Sequence, residues 1–303
     1  MFVVRVILSI YLMSVLLFSG DITPIPLKVD DVNPQKVALG HKLFFDPILS
    51  KDGTIACQNC HILSDGGDDN SKFSHGIKGQ LGNINSPTVF NARYNFVQFW
   101  NGRAKDFKEQ ASAPIEAPKE MGNSFPNLIK TLKKSSYKQE FDAIYKNGIT
   151  KQNIVDAIAE YEKTLITPNA PFDKYLRGDK GALTSMQKEG YELFKTKGCI
   201  SCHNGINIGG NLYAKFGVFE DVKSRRLGRY EVTKNRLDRY FFKVPTLRNI
   251  ERTAPYLHDG RYNKLSDVVR FMLEYQLGRV AKKSDVHKIV VFLKSLTGRL
   301  AKQ

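Results

Sequence analysis

The chain has 303 residues, of which 42% are hydrophobic and 25% charged, values that belong to folded proteins and exclude a disordered chain. That length holds one large core or two domains of ordinary size. A formal charge of +16 would suit nucleic acid, anionic lipid or an acidic protein, but no nucleic-acid motif accompanies it, so no nucleic-acid partner is expected.

From the N-terminus, Arg5 is followed by an apolar stretch over 6–18, broken only by Ser9 and Ser14. The run is short for a membrane span and right for the core of an export signal. Gly20 suits the last position before a cleavage site, but Phe18 stands where a small residue is expected. Residues 1–20 are therefore expected to send the chain to the periplasm, either removed afterwards or kept as an anchor. No later stretch is long and apolar enough to span a bilayer.

Gly40, Leu43 and Phe44 share one face of a predicted helix, where the glycine lets a second helix approach closely. Next comes Cys57-Gln58-Asn59-Cys60-His61, and the arrangement recurs as Gly190, Leu193 and Phe194 before Cys199-Ile200-Ser201-Cys202-His203. These are all four cysteines of the chain. Two disulfides would leave unexplained why a histidine follows each pair, and zinc fingers space their ligands differently. A c-type haem needs this pattern: two thiols bond the porphyrin vinyls and the adjacent imidazole reaches the iron. His61 and His203 are thus the expected proximal iron ligands of two covalent haems.

A second repeat follows each motif. Pro87-Thr88 and Asn91 lead to Gly102-Arg103; Pro245-Thr246 and Asn249 lead to Gly260-Arg261, with 15 residues from proline to glycine both times (102 − 87 and 260 − 245). We read two cytochrome-c-like haem domains related by internal duplication, spanning 21–166 and 167–303, in a mainly α fold. The division falls at Thr167-Pro168-Asn169-Ala170-Pro171, where two prolines end a helical pattern carried by Ile154, Val155, Ile158, Tyr161 and Leu165. Thr184 with Gln187 reads as a capping box. Ser284 is the expected N-cap of a last helix bearing Val286, Ile289, Val290, Leu293 and Leu296, with Gly298 ending it.

The sixth ligand of each iron separates electron transfer from chemistry. In the second half Met272, on a predicted helix with Leu265, Val268, Val269 and Leu273, is the candidate thioether; a core methionine is the alternative. The same offset from Pro87 reaches Pro114, which cannot ligate iron. His75, flanked by Ser74 and Gly76, is the nearer candidate in the first half, with Met121 and His41 as alternatives. His41 and His287 are expected at the surface. The repeat register also pairs Trp100 with His258, each 13 residues after its proline (100 − 87 and 258 − 245). Trp100 is either a core residue or an electron bridge; His258 could hydrogen-bond a propionate or guide a ligand. A basic segment (Lys223, Arg225, Arg226, Arg229, Lys234, Arg236, Arg239, Lys243) is a solvated face or a docking site for an acidic donor.

These residues resemble the bacterial di-haem cytochrome c peroxidase family over roughly residues 40–298. The specific segments are 86–91 (SPTVFN), 99–106 (FWNGRAKD), 164–172 (TLITPNAPF) and 253–256 (TAPY), in family order around both motifs. The resemblance implies that Cys199, Cys202, His203 and Met272 serve a high-potential haem that receives electrons. Cys57, Cys60 and His61 would hold the peroxidatic haem, with His75 as its removable ligand and Trp100 between the two. Glu120 matches the family's acid–base carboxylate and Gln110 the nearby amide. A calcium ion at the domain junction would use Asn85 and the carbonyls of Thr253 and Pro255; oxygen donors suit that ion. Hydrogen peroxide as substrate, a small donor protein such as a c-type cytochrome, and a homodimer are implied with it. Two other functions stay open: a di-haem electron carrier without catalysis, and a MauG-like oxidase of protein side chains.

Overall fold

A computed structural model describes residues 22–301. The expected export segment at 1–20 lies outside the described residues. Among the described residues, no helix is long and apolar enough to cross a membrane.

The fold is mainly α, with two short antiparallel strands, β1 (Tyr213–Lys215) and β2 (Phe241–Lys243). Helix α1 (Pro34–Phe45) starts where Asn33 accepts from the Gln35 and Lys36 N–H groups and Pro34, having no N–H, needs no acceptor. It packs on α5 (Lys151–Glu162); α2 (Phe107–Glu116), α3 (Phe125–Leu132) and α4 (Tyr137–Ile144) complete the first core. In the second half, α6 (Pro171–Leu176), α7 (Ser185–Thr196), α8 (Tyr230–Thr233), α9 (Leu265–Phe271) and α10 (Lys283–Lys294) follow, and α7 packs on α10. The Thr184–Gln187 capping box opens α7 as expected.

Glycine fixes both helix crossings. A Cβ on Gly40 would lie 1.9 Å from Ala157 O and 2.9 Å from Tyr161 Cβ; one on Gly190 would lie 2.1 Å from Lys288 O and 2.8 Å from Phe292 Cβ. Neither helix pair can close at this spacing with a side chain there. The loops repeat as closely, at a constant offset of 158. Asn91 and Asn249 are both left-handed (φ 59° and 60°), as are Phe99 and Leu257 (φ 67° and 70°). Bridges join Gln98 to Ala104 and, at that offset, Tyr256 to Tyr262.

Four expectations need correction. Helix α5 stops at Glu162, so Leu165 is buried beyond its end rather than on it. Helix α10 begins at Lys283 with no side-chain cap, and Ser284 bonds Asp285 instead. Gly298 does not end α10, whose C-cap is Ser295; its N–H donates to Asn249 Oδ1 at 2.9 Å, and a Cβ there would meet Thr167 O at 2.2 Å. Finally, the start of the described chain belongs with the second half. Ile22 joins the second core, the Ile25 N–H donates to Asp173 Oδ1, and Thr23 O accepts from Arg248. The buried Arg248–Asp173 pair, 2.6 Å, is tied to the backbone through Asp173 Oδ1 and the guanidinium, while Asp173 Oδ2 has no partner. In return, Leu300 packs on the first half, against the cluster of Phe44 and Tyr161.

Candidate functional site

Each Cys-x-x-Cys-His segment folds as one 3₁₀ turn, Cys57–Asn59 and Cys199–Ser201, which brings the histidine N–H back to the first cysteine's carbonyl at 3.1 and 2.9 Å. His61 Nδ1 then lies 3.2 Å from Gly67 O, and His203 Nδ1 lies 3.3 Å from Ile208 O. A carbonyl only accepts, so Nδ1 carries the proton and Nε2 is left as a ligand. Burial lowers the pKa of His61 and pushes that of His203 down to about 4, keeping both imidazoles neutral. All four cysteines are free thiols, so the two-disulfide alternative is not what the fold contains. Burial pushes Cys60 and Cys199 up to about 11, and raises Cys57 through burial first and the Glu162 carboxylate second.

His203 stands in the wall of a largely apolar cavity. Its walls include Cys199, Cys202, His203, Phe194, Leu293 and Met272. Met272 is not mid-helix, as expected, but opens a wide π turn (Met272–Gln276) that continues α9. Such turns often re-aim a side chain at a functional site. Two free thiols, a neutral imidazole and a thioether around one apolar space form the donor set a covalent haem requires, and the chain fits it.

Trp100 and His258 meet at the wall of this cavity. Their rings stand edge to face at 6.1 Å, Trp100 Nε1 donates to Asn85 O at 2.8 Å, and the Lys243 N–H of the other half donates to Trp100 O at 2.8 Å. His258 stacks on Phe242 at 4.2 Å, and its Nε2 is paired with Ser224 Oγ at 2.9 Å. Burial pushes its pKa down to about 4, so it is a neutral group. Asn85, Thr253 and Pro255 line the same cavity, and Asn85 Nδ2 is spent on Ser71 O at 2.9 Å. That leaves Asn85 Oδ1 as the end available to a cation.

In the first half the expected residues converge through one loop. The Ser74 hydroxyl lies 2.7 Å from Ser86 Oγ and favours the Cys60 thiolate, partly offsetting the effect of burial. Gly76 packs on the backbone of Lys119 and Glu120, where a Cβ would lie 2.0 Å from Lys119 O, and the Ile77 N–H donates to Glu120 O at 2.8 Å. His75 sits between these anchors, exposed, in the wall of an open cavity of mixed polarity with Asn59, Ile62 and Asp69. Glu120 is exposed, yet the surrounding protein raises its pKa while Arg103 pulls it back. Gln110, on α2, holds a buried Oε1 that has no partner. Met121 is buried in the first core, His41 is exposed and edge-on to Tyr161, and His287 is exposed. Of the basic segment, Lys243 is not on a solvated face: it is buried in the second cavity wall, with its pKa pushed down to about 8 by burial.

Two groups near the sites escaped sequence reasoning: Ser74, and Glu162 beside Cys57. No local pattern marks either; only the register of the repeat, laid over the helices, could have drawn attention to Glu162.

A family model described as di-haem cytochrome c peroxidase matches residues 34–181. The chain is 49% identical over 278 residues to a cytochrome c551 peroxidase of Nitrosomonas europaea, covering 90% of this chain and 83% of that one. It is 44% identical over 293 residues to a cytochrome c551 peroxidase of Pseudomonas aeruginosa, covering 91% and 84%. Among solved structures, a MauG-like protein associated with microbial copper homeostasis superposes with a TM-score of 0.80 over 92% of this chain and 94% of that one, at 22% identity, a likeness of fold.

Proposed function

The chain belongs to the di-haem cytochrome c peroxidase family, and on that premise we propose that it reduces hydrogen peroxide to water with electrons from a small donor such as a c-type cytochrome. The observation that carries this reading is the asymmetry of two otherwise equivalent sites. One has a methionine in the wall of the cavity that its histidine also lines; the other has no methionine at that register and instead ties a histidine loop to the backbone of a glutamate, Glu120. A pair of permanently six-coordinate carrier haems would need no such carboxylate.

When bound, the two haems supply the iron that binds peroxide and the two electrons that, with two protons, turn it into two waters. The chain's own residues do the rest. His61 and His203 would hold the irons through Nε2, each ring being fixed by its Nδ1 contact with Gly67 O or Ile208 O. Glu120, raised in pKa yet open to solvent, takes a proton from the inner peroxide oxygen and returns it to the leaving one. Gln110 offers an unspent amide oxygen for orienting the substrate or its water. Trp100, bonded to both halves, provides the aromatic bridge for electrons entering by the second haem. The His75 loop, held against the Glu120 backbone, would supply the removable ligand of the first haem.

In the same reading the matching crossings and loops derive from an internal duplication divided near Thr167. A calcium ion ties the junction through Asn85, Thr253 and Pro255, the chain is exported to the periplasm, and it works as a homodimer. A MauG-like oxidase is the less favoured reading, because Met272 stands in the wall of the cavity that His203 also lines. Steady-state oxidation of a reduced small cytochrome by peroxide, with purified holoprotein, tests the proposal. Rapid peroxide-dependent turnover supports it; electron exchange with the donor but no peroxide consumption would make the protein a carrier.

A further inference from the structure

The helix crossings set α5 and α10 in register. Ala157 and Tyr161 meet Gly40 as Lys288 and Phe292 meet Gly190, an offset of 131 in both cases (288 − 157 and 292 − 161). The next residue along is Glu162 in α5 and Leu293 in α10. Leu293 lines the cavity that fits the second haem. Glu162 therefore occupies the corresponding wall position in the first half, and a second observation agrees: its carboxylate acts on the Cys57 thiol more strongly than any other charge. It is 5% exposed, and its Oε2 has no hydrogen-bond partner. α5 makes the same crossing yet carries a lone buried acid where α10 carries leucine, and an unpaired carboxyl is expensive to bury.

We propose that the Glu162 carboxyl faces the first haem, opposes the arrival of an electron there when ionised, and takes up one proton as that haem is reduced. This rests on the reading that each half carries a haem. The balance is simple: one electron enters the haem, one proton enters the carboxylate from solvent, and no other bond is made or broken. Burial is the sole influence on this group and pushes its pKa up to about 8, so it changes charge within an accessible pH range. The titratable groups packed nearby do not compete for the role. Cys57 becomes an uncharged thioether on haem attachment, and His41 of α1 is exposed against Tyr161. Glu160 is already paired with Lys163 and the Asn33 N–H. The effect would add to that of the axial ligands in holding the first haem below the second in potential.

The test is a spectroelectrochemical titration of both haems in the holoprotein across pH 6 to 10, roughly two units either side of a pKa near 8, for wild type, Glu162→Gln and Glu162→Leu. In wild type the potential of the first haem falls as pH rises, by up to about 59 mV for each tenfold drop in proton concentration. Both variants lose that slope and show a raised first-haem potential at the alkaline end, while the second haem is unchanged. Glutamine is isosteric, so it carries the test if the leucine variant does not fold. A first-haem slope in the variants equal to that of wild type overturns the proposal. Haem analysis of the same samples separates the two levels: two haems with unaltered slopes defeat the role of Glu162 alone, whereas fewer than two defeat the reading beneath it.

Discussion

Asn91 and Asn249, 158 residues apart (249 − 91), donate to the same hydroxyl: both side-chain N–H groups meet Thr167 Oγ1, at 2.7 and 2.8 Å. Each asparagine is left-handed and buried, and the Thr167 N–H returns a bond to Asn91 Oδ1 at 2.8 Å. The two halves are thus pinned at one residue between them. Thr167→Val keeps the shape and removes the hydroxyl, leaving two buried amides without their acceptor. The expected loss is about 1–3 kcal/mol for each orphaned donor. A fall in the denaturation midpoint at constant slope would register it; an unchanged midpoint would show that water replaces the hydroxyl.

The glycines at the helix crossings give a prediction whose sign opposes ordinary propensity. Alanine in a helix interior usually stabilises by about 0.5–1 kcal/mol relative to glycine. At Gly40 and Gly190 the added carbon would fall on the carbonyls of Ala157 and Lys288. Gly40→Ala and Gly190→Ala should each destabilise, by about 1–3 kcal/mol or more as the helices are forced apart. Thermal unfolding of the two variants checks this, and a gain in stability at either would refute the close-crossing account there.

Much of this frame was legible in the sequence because it rests on repeated local chemistry. The Cys-x-x-Cys-His turns, the capping box at Thr184, the crossing glycines and the pairing of Trp100 with His258 each follow from residue type plus register. What stayed hidden depends on contacts distant in sequence. Nothing near Ile25 announces that its N–H is bonded to Asp173, 148 residues on. Gly298 resembles a helix terminator, but its missing side chain serves a close approach to Thr167 O. Ser284 looked like a cap, and the helix starts one residue earlier without one. The turn that widens at Met272 and the burial of Lys243 likewise depend on what packs against them.

Met272→His exchanges a thioether for an imidazole in the wall of the cavity that His203 also lines. The potential of the second haem should fall, and electron entry should slow, while haem attachment persists. Potentiometric titration decides the matter; an unaltered potential would make Met272 an ordinary wall residue.

The first-half loop predicts two different defects. His75→Gly should give a high-spin first haem in the fully oxidised protein, by electron paramagnetic resonance, and turnover without prior reduction. A retained low-spin signal would assign the ligand to another residue. Glu120→Gln should leave ligand binding intact and slow peroxide cleavage by about 10²–10⁴-fold. Because the carboxylate form is the base and partial desolvation by the surrounding protein raises its pKa, wild-type kcat/KM should fall as pH drops through a value above the ordinary glutamate pKa of about 4.3. That acid limb should vanish in Glu120→Gln.

The measurement that bears most directly on the whole account is the mass of the denatured protein purified from cells that attach haem. Two thioether-bound haems cannot dissociate on denaturation, so the chain should exceed its polypeptide mass by two haems. Cys57→Ser with Cys60→Ser, or Cys199→Ser with Cys202→Ser, should each reduce the excess to one. A wild-type chain carrying a single covalent haem, or none, would contradict the account.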